Sequence, residues 1–441
     1  MSNQEIEGSG DLPGRSRRSK KVSLGEMRLY AHARRGRRAQ LNSAVMSKCM
    51  RISLPGVFVC ILTCLFLGAC SSIPKIPAKG NFFKQRVDTT VDSEIARYYL
   101  ESYLQKKNEN RDMDEKISAL YSAYENSVPS REELKEISHA FSVDFAALFL
   151  ADRLLSNECN KELNQLFERY LKNGSAVDAN SSSSYQILFV PGWDYVKNGY
   201  RTGADFAKPR ELATKSGFEN YLVMLPPTGS VEDGANALVA EITRHNRSGK
   251  NILLVGTSSA GPVIHLALGE LLDEKELRSI KAWLNLGGIL RGTPFIDYFE
   301  GRPQRWLFDF YIWLKGFDKE AILSMGTAPS RRRFSSLHLD SNIVVINYMG
   351  IPLSGQLSQY SGTGYRMLRS DGPNDGLTLL TDQIAPRSLT VVALGSDHFL
   401  AEDQEIDKKT IALMKLIVTY SNKGVTIGCT GQNEDVGWAL R

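Results

Sequence analysis

Between residues 185 and 425, short apolar runs alternate with stretches of helical spacing. Gln186-Ile-Leu-Phe-Val190, Tyr221-Leu-Val-Met-Leu225, Ile252-Leu-Leu-Val255, Ile280-Lys-Ala-Trp-Leu-Asn-Leu286, Asn342-Ile-Val-Val-Ile-Asn-Tyr348 and Leu389-Thr-Val-Val-Ala-Leu394 each read as a buried strand. Residues 231–245 and 405–420 read as helices, the first with Ala237, Leu238, Ile242 and His245 near one face. Apolar strands in alternation with helices predict βαβ units and a mostly parallel sheet covered on both faces. The fold class expected is therefore α/β.

Residues 93–172 have a different rhythm. Ile117, Leu120, Tyr121 and Tyr124 make one helical stripe, and Leu163, Leu166, Phe167, Tyr170 and Leu171 make another. Ser130-Arg-Glu-Glu133 has the form of a capping box. Four helices are expected here, with their aromatic residues in a core. Residues 173–184, ending in four serines, read as a linker between this helical region and the α/β part. Residues 70–92 read as a tether. Between 295 and 339 the alternation breaks, and Arg305-Trp-Leu-Phe-Asp-Phe-Tyr-Ile-Trp-Leu314 is apolar almost all round. This insertion is expected to be a cap that lines an acyl pocket, covers it as a lid, touches a bilayer or simply packs. Ser330-Arg-Arg-Arg333 follows, either as a solvated turn or as a contact for anionic headgroups. Residues 426–441 are left as a tail.

Charge changes the picture at the start of the chain. The net charge of +5 arises in residues 1–69, while the remainder is slightly acidic. A nucleic-acid partner for the main body thus has no electrostatic basis. Residues 1–45 read as a basic, disordered arm, or else translation starts at Met46 or Met50. From Met46, Lys48 and Arg51 precede the 16 uncharged residues 52–67, fewer than the ~20 a spanning helix needs. The run ends Leu67-Gly-Ala-Cys70-Ser-Ser72. This stretch resembles the signal and lipobox of bacterial lipoproteins. The resemblance implies cleavage of residues 46–69, lipid on Cys70, and a place in the cell envelope, at an outer membrane and facing the periplasm. Cys159 and Cys429 are then the cysteines beyond Cys70, and a disulfide between them is open. No C-x-x-C or H-E-x-x-H pattern occurs, so neither a metal site nor a cofactor is expected.

Candidate chemistry gathers at the ends of the runs. Val255-Gly256-Thr-Ser258-Ser259-Ala260-Gly261 follows a strand and precedes helix-compatible sequence, the order needed to hold a serine clear of the backbone. The stretch resembles the nucleophile elbow of α/β-hydrolases in the variant G-x-S-x-A. That resemblance, to serine esterases and lipases, covers residues 185–420 and implies the chain order serine, acid, histidine. Ser258 is the implied nucleophile, with Ser259 as its competitor. His398, in the loop after the last strand, takes the place of the base. Two aspartates compete for the acid. Asp375-Gly-Leu-Thr-Leu379 resembles the lipase pattern, and Asp371 precedes a Pro-Asn turn. The oxyanion hole implied by the family uses the amide of Ser259 and one after the first strand, here Trp193 of Pro191-Gly-Trp193, where the familiar His-Gly is missing. His265 is expected in the core. The resulting expectation is a membrane-tethered hydrolase of acyl esters or lipids. Acyl transfer or thioester cleavage by the same residues is an alternative, as is a non-catalytic envelope lipoprotein of this fold.

Overall fold

The computed structural model describes residues 72–125, 127–174, 182–301, 305–400 and 403–423. The described residues open on a hairpin, β1 (Ile76–Phe82) against β2 (Gln85–Val91), where the sequence suggests a tether. Phe83 and Lys84 at its tip take φ of 46° and 72°, the left-handed pair of a two-residue turn whose twist suits the strands. Neither is the Asn or Gly that usually marks such a turn. Along β1 exposure alternates residue by residue, but only Ala78 and Phe82 are buried, and Pro77 and Gly80 weaken the apolar–polar pattern in the sequence.

Helices Glu94–Tyr98, Arg111–Ala123, Arg131–Ala140, Val143–Ser156 and Glu158–Asn173 follow, one more than expected. The expected capping box is formed: Glu133 N donates to Ser130 Oγ and Ser130 N to the Glu133 carboxylate. These helices do not stand apart from the α/β part. Leu148, Phe149 and Leu150 share a core with Met349, Ile351, Leu380 and Leu394. Leu163 and Phe167 belong to the layer beneath the main sheet, together with Leu413 and Ile417.

That sheet has six strands, all parallel: β3 (Tyr185–Val190), β4 (Glu219–Leu222), β5 (Asn251–Thr257), β6 (Ile280–Leu286), β7 (Val344–Ile351) and β8 (Leu389–Leu394). Their order is β4-β3-β5-β6-β7-β8. β3 and β7 are buried along their whole length, as strands covered on both faces must be. On one face Leu254 and Trp283 meet Leu238 and Ile264. On the other, Leu253 and Leu284 meet Leu413 and Ile417 of the final helix, Ile406–Lys423. The chain crosses from β4 back over β3 to β5, so the order reverses there. In such sheets ligands bind in the crevice outside the carboxyl ends of the strands at that reversal. This is the α/β-hydrolase arrangement.

Candidate active site

β5 carries Ser258 to the crevice. The strand ends at Thr257, Ser258 takes φ of 54°, and helix Ala260–Leu266 starts two residues later. A non-glycine residue in this region is strained, by about 1–3 kcal/mol, and is held only by its surroundings. Here Ser258 N donates to Leu286 O, while its carbonyl accepts from Gly261 N and Ile289 N. Crowding between strand and helix sets the small residues of the motif. A Cβ on Gly256 would lie 2.4 Å from Ile264 Cδ1 and 3.2 Å from Ala260 Cβ. Position 260 itself holds a methyl group without conflict, which accounts for alanine where glycine is commoner.

His398, after β8, brings Nε2 to 3.0 Å from Ser258 Oγ and Nδ1 to 2.7 Å from Asp375 Oδ2. Since a carboxylate only accepts, Nδ1 carries the proton and Nε2 is left to accept from the serine hydroxyl. The two loops are also joined through the backbone, His398 N donating to Asp375 O at 2.9 Å. Asp375 is fully buried and saturated. Its Oδ1 accepts from the amides of Leu377 and Thr378 at 2.9 and 2.8 Å, and its Oδ2 also accepts from Gln383 Nε2 at 3.0 Å. Burial alone would lower the pKa of His398, but the Asp375 carboxylate outweighs it and holds the imidazole above its ordinary 6.5.

The competing residues lie elsewhere. Asp371 pairs with Lys135 Nζ at 3.0 Å, on the helix Arg131–Ala140. Ser259 lines a small recess with Trp193, Val263 and Met325, and it is Ser258 that meets His398. His265 is buried between Trp283 and Phe334, and burial pushes its pKa down to about 3. The loop after β3 comes close to the serine: a Cβ on Gly192 would lie 3.5 Å from Ser258 Cβ. Asp194 turns the chain with φ of 53° and its amide donates to Pro227 O. Among the described residues, the amides of Trp193 and Ser259 have no hydrogen-bond partner.

Ser258 and His398 open on a cleft of about 520 Å³, within the ordinary range for small-molecule sites. Its walls are mostly apolar: Ala204, Phe206, Leu286, Tyr348, Leu400 and Leu413. Among the described residues, none from 294–339 lines it. Of the roles open to the aromatic insertion, lining the acyl pocket is the one its described residues do not fill. The walls come instead from residues 200–209 and from the start of the last helix, short segments with no motif to announce them. Phe206, with φ of 52°, is a second strained residue at this wall.

Two groups of supporting residues were not anticipated. Asn285 and Asn347 are opposite one another on β6 and β7, and Asn285 Nδ2 donates both to Asn347 Oδ1 and to the carbonyl of Gln383. They anchor the residue whose amide holds Asp375. An asparagine in each of two buried apolar runs was the available signal. The second group is the grip of residues 92–144 on residues 365–382. Tyr365 Oη donates to Asp144, Arg369 to Asp92, Lys135 to Asp371, and Arg131 lies 3.6 Å from buried Asp382. Nothing local in the sequence connects partners so far apart.

The acid loop is also wedged by close backbone packing. A Cβ on Gly364 would lie 1.8 Å from the carbonyl oxygen of Gly376. Gly364→Ala must push that loop aside. It is expected to destabilise the fold by about 1–3 kcal/mol, read as a lower denaturant midpoint, and to reduce activity as well, since Gly376 follows Asp375.

Among the described residues no group of His, Cys, Asp and Glu could hold a metal ion, and no helix is long and apolar enough to cross a membrane. Cys70, the segment 46–69, the arm 1–45 and the tail 426–441 lie outside the described residues. Cys159 is in a disulfide, and the other cysteines all lie outside the described residues.

No family model and no curated protein matches the chain. Solved structures do. A metagenomic carboxyl esterase, MGS0156, is 16% identical over 56% of this chain and 77% of its own, with a TM-score of 0.45. The propeptide form of the lipase BlEst2 from Bacillus licheniformis is 18% identical over 55% of this chain and 52% of its own, also at 0.45. EstA from Clostridium botulinum is 13% identical over 60% of this chain and 98% of its own, at 0.41. At these identities and TM-scores the likeness carries no activity or substrate over to this chain.

Proposed function

We propose that this chain is a serine hydrolase of carboxylic esters, held at a membrane by lipid on Cys70. One observation carries the catalytic part: Ser258 Oγ, His398 and Asp375 stand in a hydrogen-bonded line at the mouth of an apolar cleft. Ser258 Oγ attacks the acyl carbonyl as His398 Nε2 takes its proton, and Asp375 stabilises the imidazolium. The negative oxygen of the tetrahedral intermediate is received by the amides of Trp193 and Ser259. Collapse expels the alcohol, which leaves with the proton from His398, and an acyl-enzyme remains on Ser258. Water then attacks the acyl carbonyl as it gives a proton to His398, and the acid is released as that proton passes to Ser258 Oγ. The apolar walls suit the acyl chain. A disulfide at Cys159 is consistent with an oxidising compartment, as the envelope reading requires.

Labelling with a fluorophosphonate, followed by peptide mapping, tests this reading. The probe is expected on Ser258. Well-folded protein that takes no label would remove the enzymatic reading, and label on Ser259 would move the nucleophile. Intact mass of the cell-derived protein is expected to match a chain beginning at an acylated Cys70, and an unmodified chain retaining residues 1–69 would overturn the anchor.

The state of His398 predicts a pH profile. The base must be neutral to accept the serine proton, and its pKa is raised. The acid limb of kcat/KM is therefore expected at a midpoint above 6.5, with activity falling about tenfold per pH unit below it. In Asp375→Asn the opposing effect of burial remains and the largest raising influence is gone, so the midpoint of the residual activity moves down.

A further inference from the structure

The aromatic insertion leaves an apolar face uncovered. In helix Arg305–Lys315, Trp306, Phe310 and Trp313 follow one another at i, i+4 and i+7, and they are 65%, 55% and 72% exposed. Leu314, beside them, is 64% exposed. The opposite side is well fixed: Ile312 is buried and Phe308 stacks on Phe299. Charges near this helix are tied to one another, Arg305 and Lys319 to Glu300, and Lys319 again to Asp309. The aromatic stripe is thus a built surface of a packed helix. It does not line the serine cleft, so a substrate in that cleft does not account for it.

Two features say what the stripe meets. Chain entry is the first. Residue 70 is only six residues before β1, so the folded body stays within about 20 Å of anything that holds Cys70. β1 enters beside the loop leaving the carboxyl end of β7: Ile76 pairs with Val91, and Gly355 N donates to the carbonyl of the adjacent Thr90. The insertion is at the same end of the sheet, since Phe317 packs edge-on against Trp193, just beyond the carboxyl end of β3. Side-chain chemistry is the second. Tryptophan and phenylalanine on one face, with charges on the flank, are what an interfacial helix lays into the boundary between headgroups and acyl chains. Val196 and Tyr200, on the helix that follows Trp193, are exposed as well, and Tyr200 lines the cleft.

The geometry points to a second membrane contact: the Trp306–Phe310–Trp313–Leu314 face rests in the lipid surface to which Cys70 is attached, with the cleft mouth on that side. This rests on the tethered-hydrolase reading and adds an orientation to it. The anchor alone would leave the body free to face any way. The aromatic face fixes which end of the sheet meets the lipid, so an ester can pass from the bilayer to Ser258 without crossing water.

Quenching of tryptophan emission tests it. The full chain is placed on vesicles of phosphatidylethanolamine and phosphatidylglycerol with brominated acyl chains. Emission is expected to fall for the wild type, and most of that loss is expected to disappear in Trp306→Phe/Trp313→Phe, which keeps the face apolar and is conservative at exposed positions. Both proteins are expected to hydrolyse a water-soluble ester at the same rate. Trp306→Ser/Phe310→Ser/Trp313→Ser is expected to keep that rate and to lose activity on an ester dissolved in the vesicles. If the chain floats with the vesicles but Trp306 and Trp313 are not quenched, the contact is refuted and the anchor stands. If it does not float, both fall. A dimer in solution that the serine variant abolishes would assign the face to a second copy of the chain and overturn the lipid contact.

Discussion

Replacing Ser258 with alanine is expected to lower kcat on a water-soluble ester by about 10⁴- to 10⁶-fold, while the protein stays folded. The hydroxyl is the one atom in the cleft that both meets His398 Nε2 and stands at the end of the strained turn. Its removal deletes the nucleophile without emptying a core site. Ser259→Ala retains the backbone amide proposed for the oxyanion and is expected to stay close to wild type. If Ser258→Ala remains active and Ser259→Ala does not, the nucleophile has been misplaced by one residue. Stability provides an independent check on the turn. Alanine keeps the Cβ that makes φ of 54° costly, whereas glycine does not. Ser258→Gly is therefore expected to be more stable than Ser258→Ala by about 1 kcal/mol, read from denaturant midpoints. Equal midpoints would mean that the turn stores no strain.

What could be read from the chain itself follows from how local each signal is. The elbow is local: a strand, a small-residue turn and a helix lie within about fifteen residues, and the steric reason for Gly256 is Ile264, on the next helix. The parallel sheet was legible for a related reason, because β3, β5, β6, β7 and β8 are buried on both faces and so are nearly continuous apolar runs. β4 is less so. Its paired residues, Glu219–Leu222, are half-buried and precede most of the run that suggested the strand. The hairpin β1–β2 escaped because its buried positions are four apart and its turn lacks glycine. The cleft walls escaped because Ala204, Phe206 and Leu413 carry no chemistry of their own. They matter only through where the loop at 203–206 and the last helix are placed.

The N-terminal helices show the limit most clearly. Their stripes predicted a self-contained helical region, and stripes cannot say against what they pack. Part of that core is supplied from outside the region, by Met349, Ile351 and Leu353 at the carboxyl end of β7, by Leu394 of β8, and by Leu380 and Ile384. Buried polar side chains cross the same boundary, with Tyr365 and Ser354 both donating to Asp144. The region thereby holds the loop that bears Asp375. Removing it would expose that loop as well as a core, so the α/β part is not expected to keep its acid in place alone.

Asp375→Asn is expected to lower kcat by about 10⁴-fold, whereas Asp371→Asn is expected to leave it unchanged. The sequence leaves these two Asp-Gly steps in competition, and their surroundings in the fold separate them. The amides of Leu377 and Thr378 donate to Oδ1 of residue 375, so an asparagine there keeps its oxygen at that position. Its NH₂ then faces His398 Nδ1 and Gln383. Two donors cannot face each other across that hydrogen bond, so Nδ1 becomes the acceptor and Nε2 carries the proton. The imidazole then points N–H at Ser258 Oγ and can no longer take its proton. Gln383 can accommodate the change, because its Oε1 has no partner in the described residues and a turned amide would accept from the new NH₂. The variant is thus expected to fold with little loss, which separates a wrong tautomer from a broken loop. At position 371 the carboxylate meets, among the described residues, only the half-exposed Lys135 ammonium, a surface pair worth under about 1 kcal/mol. Steady-state kinetics and denaturant midpoints on both variants decide the matter. Equal losses of kcat, or a larger loss in Asp371→Asn, would remove Asp375 from the acid's role and with it the line of hydrogen bonds on which the hydrolase reading rests.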